Sequence, residues 1–162
     1  MVAKGMNPTS LAFESLARFD ISRTERLNVY SCIPLSRDPA YRTLLLMKDL
    51  RTVVLCRSSG LPRAFMDALN PNTNPPKEVV CPSLEELSFV LHIQGCVEEF
   101  DVQAVIEMAA ARASRGAKLR TVRDQVELDP RDVLELRKHV LHVKHGQEVV
   151  YDGGNNHSDE DD

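Results

Sequence analysis

The stretch SLEELSF, from Ser83 to Phe89, decides the fold that we predict for this chain. Its apolar residues are Leu84, Leu87 and Phe89, and polar residues fill the positions between them, so that the segment reads as L-x-x-L-x-L. Alternation of this kind is typical of a short strand that buries one face. If the strand is one copy of a repeat, the repeat determines the architecture of the whole chain.

The same spacing recurs three times when any apolar residue is allowed at each L. The copies begin at Leu16, Leu50, Leu84 and Leu119, so that their starts are 34, 34 and 35 residues apart. Self-similarity at a fixed period of about 20–50 residues is a repeat signature. The fourth copy has Asp124 at its last apolar position, and we expect it to form an edge or a cap, where a charge discourages further pairing.

Helical segments lie between the copies. Asp101 precedes an apolar stripe with helical spacing that ends before Gly116, and Asp129 precedes a second stripe that we expect to end at Gly146. Shorter helices are expected at 38–47 and 62–69. The segment 22–37 contains alternating apolar residues that predict an extra strand or a half-repeat.

Alternating strands and helices in a repeated unit predict an α/β fold. We expect a short open solenoid of about four repeats, with parallel strands and helical returns. The alternative is a doubly wound α/β domain, whose strands are usually apolar on both faces. Only the strand at Val53–Cys56 has that character, so the one-sided strands favour the solenoid.

Length and composition fit one globular domain with an acidic tail. The chain has 162 residues, of which 43% are hydrophobic and 27% charged. We divide it into an N-terminal extension (1–12), a solenoid (13–150) and a disordered acidic tail (151–162). The net charge is −4, and the tail carries five acids and no base, which leaves a nearly neutral body. A neutral body argues against a nucleic-acid partner.

The longest apolar runs are far shorter than the ~20 residues that span a membrane, so we expect no membrane partner. The first residues lack the apolar core of a signal peptide. We therefore expect an intracellular protein, cytoplasmic or nuclear, with four reduced cysteines.

Three phrases resemble the C-terminal leucine-rich repeats of fungal F-box proteins: CPSLEELSF, VIEMAAARASRGAKLRTVR and DPRDVLELRKHV. The resemblance extends from about Phe13 to Val149. It implies a leucine-rich-repeat solenoid and a non-enzymatic surface that recognises substrates of a ubiquitin ligase, with a protein partner and no cofactor. The chain departs from the family because no F-box precedes the first repeat, so that ligase components would be reached through another chain. Thr24, Ser58 and His92 also replace the usual Asn or Cys after each strand.

The binding surface is predicted on the strand positions that point away from the helices. Val54, Cys56 and Val90 are expected to form a small apolar spot in a polar surround, unless the neighbouring long loop covers them. The candidate partner-binding residues are Arg18, Asp20, Thr52, Val54, Cys56, Glu86, Ser88, Val90, Thr121 and Arg123.

Cysteines and histidines raise two alternative hypotheses, a thiol enzyme and a metal site. A small α/β thiol enzyme would use Cys56 or Cys96 with a histidine, but no motif supports it. A metal site at His139, His142 and His145 lacks converging ligands, and one at Cys81, His92 and Cys96 has no C-x-x-C motif to support it. We predict no metal site and no catalytic residue.

Two further hypotheses concern the stability of the whole chain and the role of its acidic tail. A third hypothesis for the chain is a truncated, non-functional fragment that is not stable alone. In the tail, Ser158 precedes four acids and is a candidate phosphorylation site. We favour the simpler interpretation that the acidic tail keeps the protein in solution.

Overall fold

The computed structural model describes residues 12–13, 15–16, 18–30, 35–57, 60–74, 78–91 and 100–146. Five strands alternate with four helices in these ranges. The strands are β1 (Arg26–Val29), β2 (Thr52–Cys56), β3 (Glu86–Val90), β4 (Thr121–Asp124) and β5 (His142–His145). The helices are α1 (Arg37–Leu46), α2 (Leu61–Leu69), α3 (Val102–Ala113) and α4 (Pro130–His139).

The strands form one parallel sheet in the order of the chain, β1-β2-β3-β4-β5. Each crossover leads to the adjacent strand and contains one helix. Because such crossovers are almost always right-handed, all four helices lie on the same side of the sheet. Each helix contacts the next one along the chain, which gives a helix layer on a sheet layer. The predicted α/β class is confirmed.

The apolar positions of the repeated spacing form the buried side of the sheet. Leu50, Leu84 and Leu119, the first position of three copies, are all buried. The later positions pack with the helices in one hydrophobic core. The strand members of that core include Val53, Leu55, Leu87, Phe89 and Val122, and the helix members include Leu44, Phe65, Met108 and Leu136.

The first copy of the spacing is not a strand, so the prediction for Leu16–Ile21 is wrong. Residues 18–19 form a turn, in which the Phe19 N–H donates to the Leu16 carbonyl at 3.0 Å. The Asp20 carboxylate accepts hydrogen bonds from both the backbone N–H and the hydroxyl of Ser22, at 3.2 and 2.7 Å. Such a local side-chain bond competes with a sheet ladder. The first strand is β1, inside the segment where an extra strand was an alternative.

The last helix is shorter than predicted, and Gly146 does not end it. Helix α4 stops at His139, because Val140 adopts extended backbone angles. The chain then forms β5, which pairs with β4. The prediction that the fourth copy is an edge is therefore wrong, and β5 is the outer strand among the described residues.

Both predicted aspartate caps are confirmed. The Asp101 carboxylate accepts from the Ala104 N–H at 3.0 Å at the start of α3, and the Asp129 carboxylate accepts from the Arg131 N–H at 2.8 Å at the start of α4. Gly116 follows α3 with φ of 77°, in the left-handed region that glycine tolerates best.

None of the helices in the described ranges is long and apolar enough to span a membrane. The predicted tail (151–162), including Ser158, lies outside these ranges, as does the N-terminal extension except Ala12.

Candidate functional site

The face of the sheet opposite the helices, called here the open face, carries two registered rows of side chains. Parallel in-register strands place paired residues side by side, and alternate residues of a strand share a face. The first row is Arg26, Thr52, Glu86, Thr121 and His142, and the second row is Asn28, Val54, Ser88, Arg123 and Lys144.

The structure brings most of the predicted partner-binding residues together. Thr52, Val54, Cys56, Glu86, Ser88, Val90, Thr121 and Arg123 lie on β2, β3 and β4 at alternate positions. Arg18 and Asp20 do not join them, because they belong to the turn before β1. Their assignment to the strand face is corrected accordingly.

The prediction of an exposed apolar spot on the open face is also wrong. Val54, Cys56 and Val90 are 2%, 0% and 1% exposed, and Cys56 belongs to the hydrophobic core. Ser88 and Thr121 are buried as well. The centre of the open face is thus closed to a partner.

Side chains that reach solvent lie around that centre. Thr52, Glu86 and Arg123 are partly exposed, and four further residues of the two rows are exposed. These four, Arg26, Asn28, His142 and Lys144, were missed because the prediction for 22–37 left an extra strand and a half-repeat as alternatives, and β5 was not predicted.

Imperfect copies of the repeated spacing mark both β1 and β5 in the sequence. Thr24-x-x-Leu27-x-Val29 and Val140-x-x-Val143-x-His145 repeat the spacing with a polar residue at one of its three positions. Their starts lie 26 residues before Leu50 and 21 residues after Leu119, away from the period of 34 or 35. A search at a fixed period therefore passes over them.

The carboxylates of the open face already have partners. Glu86 accepts a hydrogen bond from the Ser88 hydroxyl at 3.1 Å and lies 3.7 Å from the Arg123 Nε. At the amino-terminal ends of the strands, called here the amino edge, Arg51 pairs with Glu85 at 3.2 Å. These pairs join β2 to β3 and β3 to β4. Because the Arg51–Glu85 pair is solvated, it contributes no more than about 1 kcal/mol.

A groove of about 460 Å³ opens at this amino edge and runs from β2 to β5. It is comparable in size to binding clefts of about 300–1,000 Å³. Its lining is polar and charged. The lining residues are Arg51, Thr52, Glu85, Glu86, Arg120, Thr121, His142 and Lys144.

A second charged cluster lies at the carboxyl ends of the strands. Asp124 has a fully buried side chain and lies 3.4 Å from the Arg57 guanidinium, which stacks 4.3 Å above the Phe100 ring. The Val126 N–H donates to Asp124 Oδ1 at 2.9 Å. Burial raises the pKa of the Asp124 carboxyl, while the Val126 N–H, Arg57 and His145 act in the opposite direction. The cluster ties the end of β2 to the end of β4.

The thiols provide little support for catalysis. Cys81 is buried, its Sγ donates to the Leu44 carbonyl at 3.2 Å, and burial raises its pKa to about 12. A thiol with a raised pKa is a poor nucleophile at neutral pH. Cys96 and His92, named in the alternative hypotheses, lie outside the described residues.

The three histidines that share a spacing of three do not share a surface. His139 ends α4, whereas His142 and His145 lie on β5 at positions that point to opposite faces. Within the described part of the chain, no three His, Cys, Asp or Glu side chains are placed to hold a metal.

The chain matches no family model, and no significant match was found among curated proteins or solved structures. The likeness to F-box leucine-rich-repeat proteins therefore depends only on the residues that suggested it. What the site does has to be argued from its own geometry.

Proposed function

We propose that this chain is a non-enzymatic protein-recognition module, built as a short leucine-rich-repeat-like solenoid and similar to the substrate-binding part of an F-box ubiquitin-ligase receptor. The observation that carries the proposal is the strand order. Five parallel strands follow each other in chain order with every helix on one side, so that the exposed rim of the opposite face, around its closed centre, is left to make contacts. Stacked repeats with such a face are a common protein-binding architecture.

The ladder of buried leucines supports the solenoid interpretation. Leu50, Leu84 and Leu119 precede their strands by two residues each and are buried at equivalent places. Each unit covers the apolar side of its neighbour, as expected when no unit can bury its core alone.

The chemistry of the open face favours a protein ligand. Its exposed groups are the basic, amide or imidazole side chains of Arg26, Asn28, His142 and Lys144, and the acidic Glu86 is partly exposed. Such groups suit the rim of a protein interface, whereas small-molecule clefts are mostly apolar.

The size of the face predicts weak or transient binding. Five strands about 4.8 Å apart and about 15 Å long present a projected area of at most roughly 300 Å², which the closed centre of the face reduces further. A stable complex usually buries about 800 Å² on each partner. The module therefore binds a short segment, or binds through the neighbouring loops as well. Ubiquitin-ligase components would join through another chain.

The test is an affinity capture with two matched double variants. Asn28→Glu with Thr52→Glu adds bulk and negative charge to the open face, and Gln103→Glu with Ser114→Glu adds the same charge to the helix layer. Partners that are retained by the wild type and by the helix-layer variant, but lost from the open-face variant, support the proposal. Equal retention by both variants, with circular dichroism showing that each is folded, would reject it.

A further inference from the structure

The groove at the amino edge of the strands has an uneven distribution of charge. Both of its carboxylates are engaged, Glu85 with Arg51 and Glu86 with Arg123 and the Ser88 hydroxyl. On the β4–β5 side the groove has basic side chains but no carboxylate among its lining residues. Among the described residues, no carboxylate lies within ion-pair distance of Arg120 or Lys144.

These two cations and His142 form what we call the basic corner of the groove. His142 is paired in register with Thr121, which directly follows Arg120, and Lys144 is two residues along the same strand. His142 and Lys144 lie on the open face of β5, and Arg120, just before β4, lines the same groove. Adjacent strands lie about 4.8 Å apart, so the three side chains start from neighbouring points. All three are exposed. Their long-range attraction therefore acts on an anionic group that approaches from solvent.

The shape of the groove selects the kind of anion. It crosses three strand intervals from β2 to β5, a span of about 14 Å, which matches four or five residues of extended chain at ~3.3 Å each. A single small ion would leave most of the 460 Å³ empty. The side opposite the basic corner holds the Arg51–Glu85 pair, which offers a donor and an acceptor to a peptide.

We propose that the groove binds an extended acidic segment of a partner protein, with its carboxylates on Arg120 and Lys144. This inference rests on the proposed function and specifies the chemistry of the partner. Charge complementarity at the basic corner carries it, because the other charges of the groove are already paired.

The test uses the full chain and a fluorescein-labelled peptide of alternating aspartate and serine, followed by anisotropy. Peptides with asparagine or lysine in place of aspartate are the controls. Arg120→Glu with Lys144→Glu is expected to weaken binding about tenfold or more. Arg131→Glu with Arg137→Glu, which makes the same charge change on exposed residues of α4, is expected to change binding less than about twofold, and raised salt should weaken wild-type binding.

The outcomes separate this inference from the proposed function. Equal effects of the two charge-reversed variants, or equal binding of the aspartate and asparagine peptides, would overturn the acidic-segment proposal. If partners are lost from the Asn28→Glu, Thr52→Glu variant but kept by Arg120→Glu with Lys144→Glu, the proposed function stands and the acidic segment does not. A chain shortened to residue 150 that binds the peptide much more tightly would show that the chain's own acidic tail competes for the groove.

Discussion

Arg112 is the largest side chain that the described fold buries completely. Its guanidinium donates to the carbonyls of Val80 and Cys81, at 2.7 and 2.8 Å. These carbonyls belong to the loop before β3, where Cys81 adopts a positive φ of 49°. Burial lowers the pKa of Arg112 to about 10, and the two carbonyl bonds offset the cost of burying the charge. The residue holds a loop to the helix layer.

Arg112→Met is expected to lower the free energy of unfolding by about 2–4 kcal/mol, because two buried carbonyls lose their donors. Urea denaturation followed by circular dichroism measures the change. Arg131→Met, at an exposed position of α4, is the control and should stay within about 0.5 kcal/mol. A loss of less than about 1 kcal/mol for Arg112→Met would mean that other groups satisfy the loop.

Asp124 predicts a pH dependence with a definite sign. Burial raises its pKa in the folded protein above the ordinary 3.8, so the folded state binds the proton more tightly than the unfolded state. Its contribution to stability therefore falls as pH rises from about 3.8 through the raised value, and is constant above it. Asp124→Asn removes this titration but keeps the size of the side chain.

The difference in unfolding free energy, wild type minus Asp124→Asn, should accordingly decrease as pH rises through that window. Urea denaturation of both proteins from about pH 3 to pH 8 measures it, and taking the difference cancels the other titrating groups. Arg57 and His145 face Asp124 and act against the raised pKa. A difference that increases with pH would mean that they outweigh burial.

The sequence could not reveal the roles of Arg112 and Asp124. Arg112 falls in the last turn of a helix, where a base is expected to point to solvent and favour the helix dipole. Asp124 occupies a position that carries Leu55 and Phe89 in the two preceding strands, so the repeat suggested a defect. Each role depends on a group more than 30 residues away, the Val80 carbonyl and the Arg57 guanidinium, and periodicity carries no information about such contacts.

At the scale of elements, the sequence predicted those strands and helix starts that depend on residues close together in the chain. The spacing predicted β2, β3 and β4, and the aspartate caps fixed the starts of α3 and α4. β5 was missed, and β1 was only one of two alternatives for 22–37, because their units differ in length from the repeat. The Leu16 copy was overpredicted, since an apolar pattern does not show that Asp20 bonds to Ser22 and keeps the chain in a turn.

The two capping aspartates should differ in their contribution to stability. Asp129→Ala removes a cap and is expected to cost about 1 kcal/mol. Asp101→Ala should cost more, because Asp101 also lies 2.5 Å from Arg63 and so links α2 to α3. Asp101→Asn keeps a capping oxygen and should fall between Asp101→Ala and the wild type. Thermal or urea unfolding gives the order, and a larger loss for Asp129→Ala would contradict the linking role of Asp101.

At the scale of the molecule, the fold is a sequence of neighbours. Each strand pairs with the next and each helix packs on the next, so the contacting helices and strands of the described residues belong to the same or neighbouring units. The Arg57–Asp124 pair, which joins the ends of β2 and β4, skips one strand. The α/β class and the parallel sheet were predictable, because they follow from alternating elements. The exposed part of the open face was not, because the alternating pattern of a strand does not show that Val54 and Val90 are buried on the face away from the helices.

The most direct test of the central claim, that the open face is the contact surface, is site-specific photo-crosslinking in cells. Benzoylphenylalanine would replace Asn28 or His142, at the two ends of the open face, and Gln103 on the helix layer as the control. The account predicts adducts with another protein from the two open-face positions and little or none from position 103. Adducts from position 103 alone, or none from any position in a folded chain, would contradict it.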